Sequence, residues 1–233
     1  MFSSIFLSPW RSHFPQMDYL CVEEHKKNDY NMKRKLFLIP IVALLALGSC
    51  APKQPWTAEE AKLINSAAYS RMRVTQIDAT ADSLLLRNVC APLTREHLAT
   101  PEFGRLVASM LETVNDPYHG GVGIAAPQVG VLRRMVAVQR YDKAGRPFEI
   151  YVNPVITSYG ENKALGGEGC LSVPDLRGEV ERAQTIEIEW RDPVSFELRS
   201  ERIEGFTAVI FQHEIDHLDG ILYIDRTSRL VEK

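Results

Sequence analysis

Along the chain the apolar residues change period several times, and each period predicts an element. From Thr100 onward, Phe103, Leu106, Val107, Met110, Leu111 and Val114 recur at helical spacing. Thr100 supplies an N-cap and Pro101 fits the first helical position. Met135 to Val138 is a short apolar run, and Phe148 to Val152 is another that Asn153-Pro154 should stop. Ile186, Ile188 and Trp190 alternate with Thr185, Glu187 and Glu189, the pattern of a half-buried strand. Phe196, Leu198 and Ile203 predict one more strand after a turn at Asp192-Pro193. A last helix is expected from about Phe206 to Leu218, with Gly220 past its end as a C-cap. Before all of these, Thr57 and Glu60 form a capping-box signature that should open a helix reaching about Arg73. A helix, then strands, then a helix reads as α+β with mostly antiparallel sheets around a C-terminal helix.

The earliest apolar run has a different character. Leu36 to Leu47 spans twelve residues, too few for a bilayer crossing, which takes about 20. Lys33, Arg34 and Lys35 precede it, and Leu47-Gly48-Ser49-Cys50 closes it. This order is that of a secretory signal, and its end resembles a bacterial lipobox, in which the cysteine is lipidated and becomes the N-terminus. Export and membrane anchoring through Cys50 are therefore expected, with a cytoplasmic location if the segment is not used as a signal. Met32 stands where such a signal begins, so residues 1–31 carry no role in this reading. The chain divides into an extension and signal over 1–50, a tether and helix over 51–75, and a compact domain over 76–233.

Composition narrows the function. Apolar residues make up 45% and charged residues 24% of 233, an ordinary globular balance. A formal net charge of −3 leaves no basic footprint for nucleic acid. The four cysteines, Cys21, Cys50, Cys90 and Cys170, show no CxxC pair and no disulfide framework. Cys90 reads as a small buried hydrophobe.

Three segments carry chemistry. His213-Glu214-Ile215-Asp216-His217 is an HExxH motif within the last predicted helix. Residues four apart share a helical face, so both imidazoles can meet one ion while Glu214 reaches a water beside it. A catalytic ion needs a third protein ligand and an open position. Downstream, Tyr223 occupies the place of the third histidine of one HExxH class, and the sole later glutamate is Glu232. The third ligand is thus expected upstream, where Cys170 is the best candidate, flanked by Gly166, Gly167 and Gly169. The third segment, Gly121 to Gly130, follows no predicted strand and lacks dinucleotide-binding glycine spacing. Its small residues lead to Gln128, one amide donor against a tight wall, or a plain turn.

Together the segments resemble the peptide deformylase family, whose motifs GxGxAAxQ, EGCLS and QHExDHLxG stand here as Gly121–Gln128, Glu168–Ser172 and Gln212–Gly220. The resemblance covers roughly Gln76 to Asp225. It implies hydrolysis of the N-formyl group from the N-terminal formyl-methionine of peptides, with Cys170, His213 and His217 as metal ligands and Glu214 as general base, then acid. Gln128 and the backbone N–H of Leu171 would form the oxyanion hole, and Gly123, Gly169 and Arg177 would line the peptide site. Arg177 and Arg182 match family arginines, against a plain reading as surface charge. The implied cofactor is one divalent ion, ferrous iron in most relatives, with zinc, nickel or cobalt compatible with the same ligands. Oligomeric state is not legible. Two rival classes use the same residues: an HExxH peptidase cutting internal amide bonds, which the missing downstream ligand disfavours, and a non-catalytic formyl-peptide binder, which the intact Glu214 disfavours.

Overall fold

The computed structural model describes residues 55–227 and 229–232. The signal and lipobox reading of Met32–Cys50 lies outside the described residues.

Helix α1 (Ala58–Ala67) begins with the expected capping box, in which the Thr57 hydroxyl accepts from the Glu60 N–H while Glu60 accepts from the Thr57 N–H. It ends six residues earlier than the pattern predicts. The chain turns through Tyr69 at φ 62°, and the segment beyond is pinned in other bonds: Met72 N–H donates to Thr113 Oγ1 and Thr75 N–H to the Gln128 carbonyl. A short helix α2 (Thr80–Leu86) and a single turn α3 (Arg95–Leu98) lead to α4 (Pro101–Val114). In α4 the predicted stripe is buried at Phe103, Leu106, Val107, Met110 and Val114. Helix α1 lies against α4. Trp56, 3% exposed, anchors its start: the ring meets His97 edge-on, its Nε1 donates to Thr100 Oγ1 at 2.8 Å, and the Arg133 guanidinium lies over it. Arg133 also grips Glu60 through two bonds of 2.6 and 2.8 Å.

Two antiparallel sheets follow. The larger runs β1-β2-β3-β6-β7, with β1 (Gly123–Ala125), β2 (Met135–Gln139), β3 (Phe148–Tyr159), β6 (Thr185–Arg191) and β7 (Leu198–Glu204). The smaller runs β4-β5-β8, with β4 (Lys163–Cys170), β5 (Val173–Ala183) and β8 (Leu230–Glu232). Strand β3 passes the predicted stop. Asn153 takes φ 52° and the register against β6 shifts between Val152 and Val155, so Pro154, which has no N–H, falls in the irregularity. The Asn153 amide is tied to both backbone groups of Leu93 at 2.8 Å. Phe196 is outside β7, at φ 61° in the preceding turn, where the Asp192 carboxylate accepts from Val194 and Ser195. The β4–β5 hairpin was not legible from periodicity.

Helix α5 (Gly205–Leu218) closes the domain. Ala208, Phe211, Ile215 and Leu218 join Val136, Val138, Tyr151, Ile186, Ile188 and Ile203 in the main core. Its other face turns toward the hairpin and buries Gln212, Asp216 and His217, while Phe206 in the first turn is largely exposed. Gly220 follows at φ 73°, and a Cβ there would stand 2.5 Å from the Arg87 carbonyl oxygen, so glycine is demanded twice over. At the sheet end near α5, the fully buried Arg140 donates to Asp142, Glu149, Glu201 and the Tyr151 hydroxyl, and Asp142 also accepts from Thr207.

Candidate metal centre

Cys170 is the last residue of β4, and His213 and His217 stand one turn apart on α5. The hairpin brings the thiol to the helix: the Cys170 sulfur lies 3.2 Å from His217 Nε2, and the three ligand atoms all lie within 4.8 Å of one another. One soft sulfur and two imidazole nitrogens converging on a buried point form a donor set suited to a first-row divalent ion with an open position. Burial alone would raise the Cys170 pKa, but the facing imidazoles of His217 and His213 outweigh it and hold the thiol well below its ordinary value. The thiolate is therefore the favoured form, which ion binding requires. His213 is pushed the other way: burial disfavours its charge, yet bonds to Cys170 and Glu168 raise it well above normal. Two polar atoms here, Glu214 Oε2 and His217 Nδ1, are buried with no partner among the described residues. Such orphans mark a site completed by something besides protein.

Around the ligands lies a charged shell that sequence reading largely missed. Glu168 is 7% exposed and accepts from His213 Nδ1 at 2.7 Å, which fixes the ring so that Nε2 faces inward. Burial raises the Glu168 carboxyl, but His213 and Arg182 overcome it and hold it at about 2. Arg182 is no surface charge. It is 4% exposed, donates to both Glu168 oxygens at 2.8 and 3.1 Å, and reaches Asp216 at 2.6 Å. Asp216 in turn accepts from Arg226 at 2.6 and 2.5 Å. Gln212 clamps α5 to β5, donating to the Ala183 carbonyl and accepting from the Ala183 N–H. Gln212, His213, Asp216 and His217 of the last motif thus each have their own partner, whereas Glu214 Oε2 has none among the described residues.

A cavity of about 370 Å³ opens onto the ligands, and Gly123, Gln128, Gly169, Leu171, Arg177 and Glu214 all line it. Arg177 is exposed at this cavity. Gln128 sits in a 3-10 turn (Ala126–Val129), its Oε1 accepting from the Ala125 N–H at 2.8 Å. That bond orients Nε2 toward Cys170 Sγ and Ser172 Oγ, at 3.4 and 3.3 Å. Burial raises the Glu214 carboxyl to about 7, against the lowering pull of the two histidines. A carboxylate poised there can take and return a proton near neutral pH. The apolar wall comes from Phe206, Val209 and Ile210. They precede His213 by seven, four and three residues and so share its helical face, a signal present in the sequence but not used.

This arrangement matches a known family over most of the described chain: residues 74–233 fit the model described as Polypeptide deformylase. The chain belongs to that family. It is a metal-dependent hydrolase that removes the N-formyl group from N-terminal formyl-methionine. Peptide deformylase of Leptospira biflexa serovar Patoc is 41% identical over 149 residues, covering 61% of this chain and 82% of the relative. That of Zymomonas mobilis subsp. mobilis is 44% identical over 131 residues, covering 54% and 72%. An actinonin-bound class I type b peptide deformylase from Acinetobacter baumannii superposes with a TM-score of 0.60 at 34% identity, covering 68% of this chain and 99% of the other. The deformylase match begins at residue 74, so α1 and Trp56 precede it.

Proposed function

We propose that Cys170, His213 and His217 hold one divalent ion, ferrous iron by preference, and that Glu214, Gln128 and the Leu171 N–H carry out the deformylation around it. The observation behind this is the convergence of the three ligand atoms beside a buried carboxylate whose Oε2 has no partner. A bound ion supplies Lewis acidity, making a water acidic near neutral pH and polarising a carbonyl. Glu214 takes the proton as the water oxygen attacks the formyl carbon. The Gln128 amide and the Leu171 N–H donate to the formyl oxygen as it gains charge. Glu214 then delivers the proton to the departing amine as the C–N bond breaks, leaving formate and a free N-terminus. Gly123, Gly169 and Arg177 guide an extended peptide into the cavity, and the small formyl hydrogen passes where bulkier acyl groups do not.

The substrate class we propose is the N-formylmethionyl peptide; a Met-Ala-Ser complex of the Acinetobacter baumannii relative supports it. The test is turnover of formyl-Met-Ala-Ser by anaerobically purified protein, with blocked internal peptides as the comparison. Formate release from the first and none from the second is expected. Cleavage of internal bonds, or binding without turnover, would replace this reading with one of its rivals.

We further propose that the full chain is exported and anchored through Cys50, on the order of basic start, short apolar run and lipobox-like end. Fractionation and intact mass of the full chain and of Cys50→Ala test it. Membrane-bound protein beginning at Cys50 with added lipid mass is expected; soluble protein retaining the residues before Cys50 would refute it.

A further inference from the structure

We infer that Gly123 is a positioning residue for Glu214, its missing side chain forming the slot in which that carboxylate is held. The inference rests on the proton-carrying role given to Glu214 above. Nothing in the backbone of β1 calls for glycine at this position. Gly123 is absent from the residues with positive φ, and it pairs with Val138 in ordinary antiparallel register between the β-branched neighbours Val122 and Ile124. What a side chain would meet is specific. An ideal Cβ on Gly123 would overlap Glu214 Oε1 and stand 2.8 Å from both Cδ and Cγ, and these are its three nearest atoms. Glycines elsewhere, such as Gly104 or Gly145, would point a Cβ into open space.

Two further facts make the contact decisive. Glu214 is 4% exposed, and its Oε2 has no hydrogen-bond partner among the described residues, unlike Glu168 with its three donors. The carboxylate is thus held by packing, and the β1 backbone at Gly123 is the wall it packs against. The clash of a methyl group includes Cγ as well as a terminal oxygen, so rotating the carboxylate does not relieve it, and the whole side chain has to move. The fold can yield there cheaply, because the obstacle is a side chain and not backbone. Proton transfer cannot, because a displacement of about 1 Å from reacting geometry costs on the order of 10²-fold in rate. Gly123 also lines the peptide cavity, so the strand that borders the substrate sets the place of the base.

The test is a double-mutant cycle on the ion-loaded enzyme, combining Gly123→Ala with Glu214→Ala, which keeps nothing beyond Cβ and so empties the slot. The readouts are kcat and KM on formyl-Met-Ala-Ser, Kd for the product Met-Ala-Ser, ion content and melting temperature. Alone, Gly123→Ala is expected to lower kcat about 10²-fold with ion content unchanged, a larger effect than any on KM or Kd, to which its place in the cavity lining can add. In the Glu214→Ala background, read on the residual turnover, the same methyl group should cost less than about threefold, the non-additivity expected of touching residues. An equal loss in both backgrounds, a loss carried wholly by KM and Kd, unchanged kcat, or a variant that does not fold each overturns the inference. Should Glu214→Ala turn over like the wild type, the proton-transfer role fails and the positioning role with it. A slow Glu214→Ala with additive effects removes positioning alone.

Discussion

Replacing Glu168 with glutamine keeps its shape and removes its charge, and the hydrogen-bond geometry fixes the cost. The carboxylate receives three donors: Arg182 Nε on one oxygen, Arg182 Nη2 and His213 Nδ1 on the other. An amide has one acceptor oxygen. Placing it opposite His213 and Nη2 keeps two bonds and sets an NH2 group against Arg182 Nε–H; the reverse orientation forfeits His213. Either way the buried guanidinium loses one of its two carboxylate partners, Asp216 remaining, and breaking a buried pair costs about 3 kcal/mol or more. For a domain of this size that is a fall of roughly 6–12 °C in Tm. His213 also loses the anion that raises its basicity, which weakens ion affinity by about 10–100-fold. That affinity change adds about 1.4–2.7 kcal/mol to the deficit only when the ion is present. Melting Glu168→Gln and wild type in chelator and with excess ion separates the two effects. If both forms melt within about a degree of wild type, the buried network contributes nothing; if the gap between loaded and chelated forms is unchanged, Glu168 does not act on the ion.

Glu214→Ala should retain the ion and lose turnover by about 10²–10⁴, and Gln128→Leu should lose about 10²–10³ with unchanged ion content; wild-type turnover in either would refute the assigned role. The Arg140 guanidinium, through its hydrogen bonds, holds the Asp142 carboxyl at about 2, below its ordinary 3.8. Asp142 therefore stabilises the fold fully above pH 3.8, and that contribution disappears as pH falls toward 2. Denaturant midpoints of Asp142→Asn should be lower than wild type at neutral pH and should converge with it over that acid range; parallel curves would refute the linkage. Trp56→Ala should destabilise by about 3–5 kcal/mol with kcat unchanged, since the ring packs on His97 far from the ligands in sequence; a neutral effect would show that α1 is merely appended.

Helix α4 and the paired ligands of α5 were legible because each repeats at 3.6 residues, and Cys170 was reached by eliminating downstream ligands. The hairpin that delivers Cys170 was not, because Lys163 to Gly167 is exposed throughout and presents no alternation to read. Strand β3 outran its predicted end because Asn153 tolerates a left-handed backbone and its amide is fastened to Leu93, a contact 60 residues away. Glu168 and Arg182 were seen only as letters in motifs. Their pairing is set by the register of β4 on β5, in which Arg182 faces Ala164 and Glu168 faces Gly178, together with the approach of α5, and no local pattern encodes either.

Gln128, Cys170 and His217 are separated by 42 and 47 residues. A short fragment spanning α5 holds both histidines but not Cys170, so the complete donor set exists only once the hairpin has met the helix. Loading comes after the hairpin has closed on the helix, at the end of a loop closure that is slow by its length. The ion is then chosen by whichever compartment surrounds the finished fold, because these donors take several first-row metals and availability decides among them. For this chain the question of where it folds and the question of which metal it carries are one question.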